Sequence, residues 1–212
     1  MASSVTVVQL RCPECSGTLH GSPQAVLFWC EGCQAIHEVV EGQLTPRHCQ
    51  AARPVLRGSG RLCYLPMWAF RVRARWAWLD STVKVLQAWQ PPDWVYVTAF
   101  AISNASYFGD PGLIFTQKHV ELEAAGHAPL IGGTRSLVEA EAFVEFHILS
   151  LLDRRADVTG VELRWEIYDA VLWGIPYYDD GLTLLDGILG LKMPGAALEE
   201  VAALRTWWEG RQ

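Results

Sequence analysis

Residues 61–79 read RLCYLPMWAFRVRARWAWL. Tyr64, Pro66, Trp68, Phe70, Val72, Ala74, Trp76 and Trp78 fall on one parity, and Arg71, Arg73 and Arg75 on the other. A period of two is the period of a β-strand, so this stretch predicts a strand with an aromatic core face and an arginine outer face. Pro66 has no N–H to give a ladder, which favours a sheet edge or strand start.

Downstream, DWVYVTAFAIS (93–103) follows a QPPD turn and predicts a second strand. GLIFTQKHVELEA (112–124 and on) predicts a third, and GVELRWEIYDAVLWGIPYY (160–178) a fourth and a fifth. LTLLDGILGLKM (182–193) predicts a hairpin turning at Asp186-Gly187 or Gly190. Between them, TRSLVEAEAFVEFHILSLLDRR (134–155) repeats Leu137, Ala140, Val144, Ile148 and Leu151 at helical spacing, with Glu141 and Glu145 opposite. A last helix is expected over PGAALEEVAALRTWWEG, with Pro194 near its first turn and Leu198, Val201, Arg205 and Trp208 aligned. The fold class expected is α+β: a Trp-rich, largely antiparallel sheet domain over 62–212 with one or two helices.

Upstream, the pattern changes. LRCPECSGTL is followed by FWCEGCQAIH, placing Cys12, Cys15, Cys30 and Cys33 as two CxxC pairs fourteen residues apart. Two residues between thiolates let one tight turn aim both sulfurs at one ion. Pro13 presets the first turn, and Gly32 relaxes the second. Four thiolates at tetrahedral corners make a closed structural zinc site with no open position. A rubredoxin-type iron centre uses similar spacing, and zinc is the expectation. A thioredoxin-like site needs a single CxxC at a helix start, and two disulfides need an oxidising compartment.

The segment 5–46 resembles a zinc ribbon, similar to the small ribbons of the tRNA-methyltransferase activator type and to those heading some bacterial methyltransferases. Leu10, Gly17 and Leu19 around the first knuckle and Val39, Gly42 and Leu44 after the second carry the likeness. It implies a structural metal and a small sheet formed by the strands after each knuckle. Ser16 stands where a glycine often follows the first pair, so an adapted turn is expected there. The resulting division is a zinc ribbon over 1–46, a Pro-, Gly- and Arg-rich linker over 47–61, and the sheet domain.

His37 follows Cys33 by four residues and is expected beside the ligands or at the surface rather than among them. His48-Cys49 hint at a second site that nothing completes. Cys63 is expected as a buried small hydrophobe.

The chain has 212 residues, 50% of them hydrophobic and 19% charged, which argues against disorder. Nothing reads as a signal peptide or as eighteen uncharged apolar residues in a row, so a cytoplasmic protein without a transmembrane segment is expected. Net charge is −6 but unevenly placed. From Gly42 to Leu79 there is no acid and there are seven arginines, whereas Glu121 to Asp186 holds thirteen acids against four arginines. The two regions either face each other or are solvated, or the first is an anion surface.

No GxSxG, P-loop or dinucleotide fingerprint is present. His119, Glu121 and Glu123 would share one face of the third strand. Asp179-Asp180 lack an acid, base or nucleophile to work with. The expected function is therefore a non-catalytic zinc-binding adaptor or assembly protein making protein–protein contacts. Ten Trp and the arginines would supply its interface anchors. The alternative is nucleic-acid binding through the arginine-rich stretch 47–75. A third reading, from the ribbon likeness, is a subunit that stabilises a catalytic partner such as a methyltransferase.

Overall fold

The structure, a computed structural model, describes residues 10–78, 92–103, 109–130, 132–155, 157, 159–198, 201 and 205, with the side chains of 76–78 and 161 left aside. The fold is α+β, with two sheets and two α-helices among these residues.

The N-terminal sheet is antiparallel, in the order β1 (Leu19–His20), β2 (Leu27–Cys30), β3 (Ile36–Val40) and β4 (Gln43–Arg47). The stretch expected as a linker carries β5 (Cys49–Ala51), which runs parallel to a later strand, and Ala51 and Ala52 are buried.

The larger sheet is built on β6 (Arg61–Trp78) and β8 (Val161–Asp179), antiparallel partners from end to end. β7 (Trp94–Thr98) pairs with residues 67–71 of β6. On the far edge of β8 lie β5 and then the hairpin β9 (Thr183–Asp186) and β10 (Lys192–Pro194), turning through Asp186–Gly190 as expected.

Both faces of this sheet are covered, which the alternation of residues 61–79 did not show. Trp68, Phe70 and Val72 face α2 (Leu137–Asp153), whose Ala140, Val144, Ile148 and Leu151 form the expected apolar stripe. On the opposite parity Leu65, Met67 and Ala69 are also buried, under α1 (Pro111–Gln117) and the C-terminal segment with Met193, Leu198 and Val201. The arginine face begins at Arg71, the last β6 residue paired with β7, and continues along β6 past it. Each fully buried Leu, Met or Phe contributes roughly 1.5–3 kcal/mol, so the doubly covered half is the stable centre of the fold.

Pro66 lies inside β6 rather than at its start. Its carbonyl accepts from Ala99 N at 3.1 Å. Its missing donor therefore faces the edge just past the last β7 pair, Met67–Thr98, where no ladder bond is lost.

Two expected strands are one. β8 runs unbroken through 161–179, but a bulge shifts its register where Arg71 faces Asp169 and Val72 faces Ile167. The extra residue, Tyr168, moves the inward parity from Leu163, Trp165 and Ile167 to Ala170 and Leu172. A phase slip of one residue in the apolar pattern reads as a strand break.

The expected third strand is instead a helix followed by irregular chain. Asp110 caps α1, accepting from Gly112 N at 2.7 Å and Leu113 N at 3.2 Å, and Pro111 occupies the first turn. Gly112 lets the helix lie flush on β7, since a Cβ there would stand 2.6 Å from the Tyr96 carbonyl oxygen. Pro194 closes β10 and precedes a 3-10 turn, Gly195–Ala197. Beyond it, Leu198 and Val201 are buried, and the rest of the expected C-terminal helix, Trp208 included, lies outside the described residues apart from Arg205. No helix among the described residues is long and apolar enough to cross a membrane.

Candidate metal centre

The two CxxC turns are built alike. Cys12 N donates to Gly17 O and Ser16 N to Cys12 O, at 2.9 and 2.8 Å. Eighteen residues on, Cys30 N donates to Ala35 O and Gln34 N to Cys30 O, both at 2.9 Å. Ser16 and Gln34, one after each second cysteine, both adopt left-handed backbone, with φ of 61° and 63°. Ser16 thus takes the conformation a glycine would, and the turn shows no adaptation relative to its counterpart at Gln34. A non-glycine residue there costs about 1–2 kcal/mol, which the site must offset.

The turns meet because β1 and β2 pair and β2 turns into β3. The four Sγ atoms lie within 4.8 Å of one another, with Cys12–Cys33 at 3.5 Å and Cys15–Cys30 at 3.4 Å. Tetrahedral ligation at a metal–sulfur length of about 2.3 Å requires sulfurs about 3.8 Å apart, so the cluster fits one metal ion. Cys12 and Cys30 are buried, and Cys15 and Cys33 face solvent. Gly17 and Gly32 are the floor of the cradle: a Cβ at either would stand 3.1 Å from Cys15 Sγ.

The thiol electrostatics ask for a cation. Burial pushes the Cys30 thiol up, but hydrogen bonds from the Cys33 and Gly32 backbone and the Cys15 thiol outweigh it and bring it down to about 7. At Cys33 the Ala35 amide pulls down, yet burial and the neighbouring sulfurs raise the thiol to about 12. Cys15 is also raised, the Cys30 sulfur and burial overcoming the Gly17 amide. One thiolate forms readily, and its neighbours then resist ionising beside it. A bound divalent ion removes that resistance.

His37 is fully buried, with Nε2 3.3 Å from Cys12 Sγ. It is a neighbour of the ligands, as expected, placed to donate to the Cys12 sulfur and orient it. Burial lowers its pKa against the pull of Glu14.

The other candidate residues are dispersed or already employed. Cys63 is buried, its thiol pushed up to about 12 by burial. Cys49 sits in β5 with its thiol likewise raised to about 12 by burial, and His48 bonds Gln50. His119, Glu121 and Glu123 do not share a strand face. His119 has φ of 49° just after α1, and Glu123 pairs with Arg53 at 3.4 Å. Asp179 and Asp180 do structural work: Asp179 makes a bidentate pair with Arg205 at 2.9 and 3.0 Å, and Asp180 closes the turn to Thr183.

One buried carboxylate was not read from the sequence. Glu38 of β3, 1% exposed, accepts from Leu137 N at 2.8 Å and from Arg47 Nε at 2.5 Å. It thereby supplies an acceptor to the first turn of α2, which Ser136 and Glu139 cap as a capping box. Ser-x-x-Glu was visible in the sequence, whereas a partner ninety-nine residues away left no local trace. Leu27, Trp29 and Ile36 of the small sheet join the core beneath α2, and Leu27 N bonds Gly133 O at 2.9 Å. The cysteine cluster is therefore anchored to the main fold through the strands that carry it. A second unread pair is His147, fully buried on α2, with Nε2 3.7 Å from the Asp110 carboxylate that caps α1.

Compared with family models, curated proteins and solved structures, the chain gives no match. In the structure, the four-cysteine cluster and its two matched turns are consistent with the ribbon likeness.

Proposed function

We propose that this chain is a non-catalytic, zinc-binding adaptor or assembly protein of a reducing, cytoplasmic compartment. The cluster of four cysteines carries the reading. Four thiolates fill the tetrahedral shell of a zinc ion and leave no position for a substrate or an activated water. The remaining charged candidates support it, since Asp179, Asp180, Glu38 and Asp110 are each committed to a turn, a cap or an ion pair.

The aromatic surplus supports it less than composition implied. Trp29 and Trp68 are buried and Trp94, Trp165 and Trp173 half-buried, so these five are largely core. The other five lie outside the described side chains. Interface character rests on arginines beside aromatic rings instead. Arg71 lies 4.8 Å over the Trp94 ring and Arg73 5.5 Å over that of Tyr168, which is exposed.

The test is purification from the native host without chelator. One zinc per chain and a stoichiometric protein partner are expected. Iron in place of zinc overturns the metal assignment, and a chain that elutes alone overturns the adaptor reading. Nucleic-acid binding through 47–75 is the second reading, favoured by the side-by-side exposure of Arg71, Arg73 and Arg75. It requires affinity for RNA or single-stranded DNA that falls steeply with salt.

A further inference from the structure

Past Arg71, the last residue to pair with β7, β6 and β8 continue among the described residues as a two-stranded arm. Its inward face carries Val72, Ala74, Leu163, Trp165 and Ile167, packed on the core. Its outward face carries Arg73 and Arg75 from β6, in line with Arg71 at its base beside Trp94 of β7, all three exposed, with Arg164 and Tyr168 from β8. Arg73, Arg75 and Arg164 line a groove of about 230 Å³ with Glu166 and Trp165.

The charges on this face are incompletely matched. Asp169 stands opposite Arg71 and Glu166 opposite Arg73, yet neither arginine has an ion pair within 4.0 Å among the described residues. Arg164 turns to Glu162 on its own strand, at 2.7 Å. Arg75 stands directly opposite Arg164. Like charges at opposed positions of an antiparallel pair cost stability. An anion lying between them reverses the sign of that cost.

We propose that this face binds an extended acidic segment of a protein partner, with carboxylates on alternate residues. The inference rests on the adaptor reading. Alternate strand residues repeat every ~6.7 Å, so Arg71, Arg73 and Arg75 form a row at the pitch on which an extended peptide presents every second side chain. The guanidinium fork takes a carboxylate with two hydrogen bonds, and the Arg73–Tyr168 stack holds one fork in place. A nucleic-acid strand fits less well. A stacked strand carries a phosphate every ~3.4 Å, about twice the charge density of such a peptide, and Glu166 and Asp169, opposite the arginines, repel the excess.

The experiment uses the full metal-loaded chain and a labelled peptide of about six Glu-Thr repeats, read by fluorescence anisotropy at physiological salt. A peptide of the same composition with all Glu in one block and an oligouridine of similar length serve as competitors. The alternating peptide is expected to bind best, and Arg73→Gln/Arg75→Gln to weaken it at least about tenfold. Arg53→Gln, remote from the groove, should leave binding unchanged. Arg75→Gln alone should keep or raise the melting temperature, because it removes the opposition to Arg164. Failure of the alternating peptide to bind, survival of binding in the double variant, or tighter binding of oligouridine overturns the inference. If the double variant binds no peptide but still carries its partner from the host, this site is wrong and the adaptor reading stands. If the peptide binds as described but no partner accompanies the wild-type chain, the adaptor reading falls.

Discussion

Replacing Glu38 with alanine removes two contacts at once from a side chain that is 1% exposed. The Leu137 amide loses its acceptor at 2.8 Å, and an uncapped donor in a first helical turn costs about 1 kcal/mol. Arg47 loses its partner at 2.5 Å while only 27% exposed. Breaking a fully buried pair costs about 3–5 kcal/mol, and partial exposure of Arg47 reduces this to about 2 kcal/mol. Glu38→Ala should therefore lower unfolding stability by about 3 kcal/mol, read by urea denaturation with tryptophan fluorescence. Glu38→Gln keeps the amide acceptor and loses the charge, and should cost about half as much. A double-mutant cycle with Arg47→Ala should show coupling above about 1 kcal/mol. A Glu38→Ala variant within about 0.5 kcal/mol of the parent would refute the claim that this carboxylate joins the cysteine-bearing sheet to α2.

Cys30→Ser should abolish stoichiometric metal in elemental analysis and broaden the NMR resonances of residues 10–47, since binding and folding are coupled in such modules. Metal retained in a Cys30→Ser/Cys33→Ser variant would contradict the ligand set. Thr116→Val should cost about 1–3 kcal/mol in denaturation, because the buried Thr116 hydroxyl accepts from Tyr96 N and donates to Gly112 O, both at 2.8 Å. For Asp179, burial raises the carboxyl, but the hydrogen bonds from Arg205 and Gly181 outweigh it and hold it below its ordinary 3.8. A depressed folded pKa stabilises fully above the unfolded value and is lost as pH falls through the folded one. Arg205→Gln should therefore destabilise at neutral pH and shrink the loss of stability below about pH 4, seen as a flatter acid limb in a melting series.

Features that depend on near neighbours are legible from the residues alone. Paired cysteines at a two-residue spacing, with Pro13 in the first turn and Gly32 in the second, specify two knuckles whatever surrounds them. The capping box at Ser136 and the 3.6-residue stripe through Ile148 specify α2. The hairpin at Asp186–Gly190 is set by the same local chemistry, with Asp186 accepting from Ile188 and Leu189 N. Asp110 and Pro111 are an equally local helix start that the strand expected over 112–124 does not use.

Tertiary structure alone decided what depends on partners far along the chain. Whether Leu65, Met67 and Ala69 are buried turns on a helix and a C-terminal segment that cover the second face of β6, and no period in β6 encodes them. The bulge at Tyr168 exists because β8 must follow β6 for eighteen paired residues while its apolar pattern changes phase. Glu38 looks like a misplaced acid in an apolar strand until α2 brings an amide to it. In each case the free energy comes from a contact closed over a long loop, so the residue types record it only as an exception to local pattern.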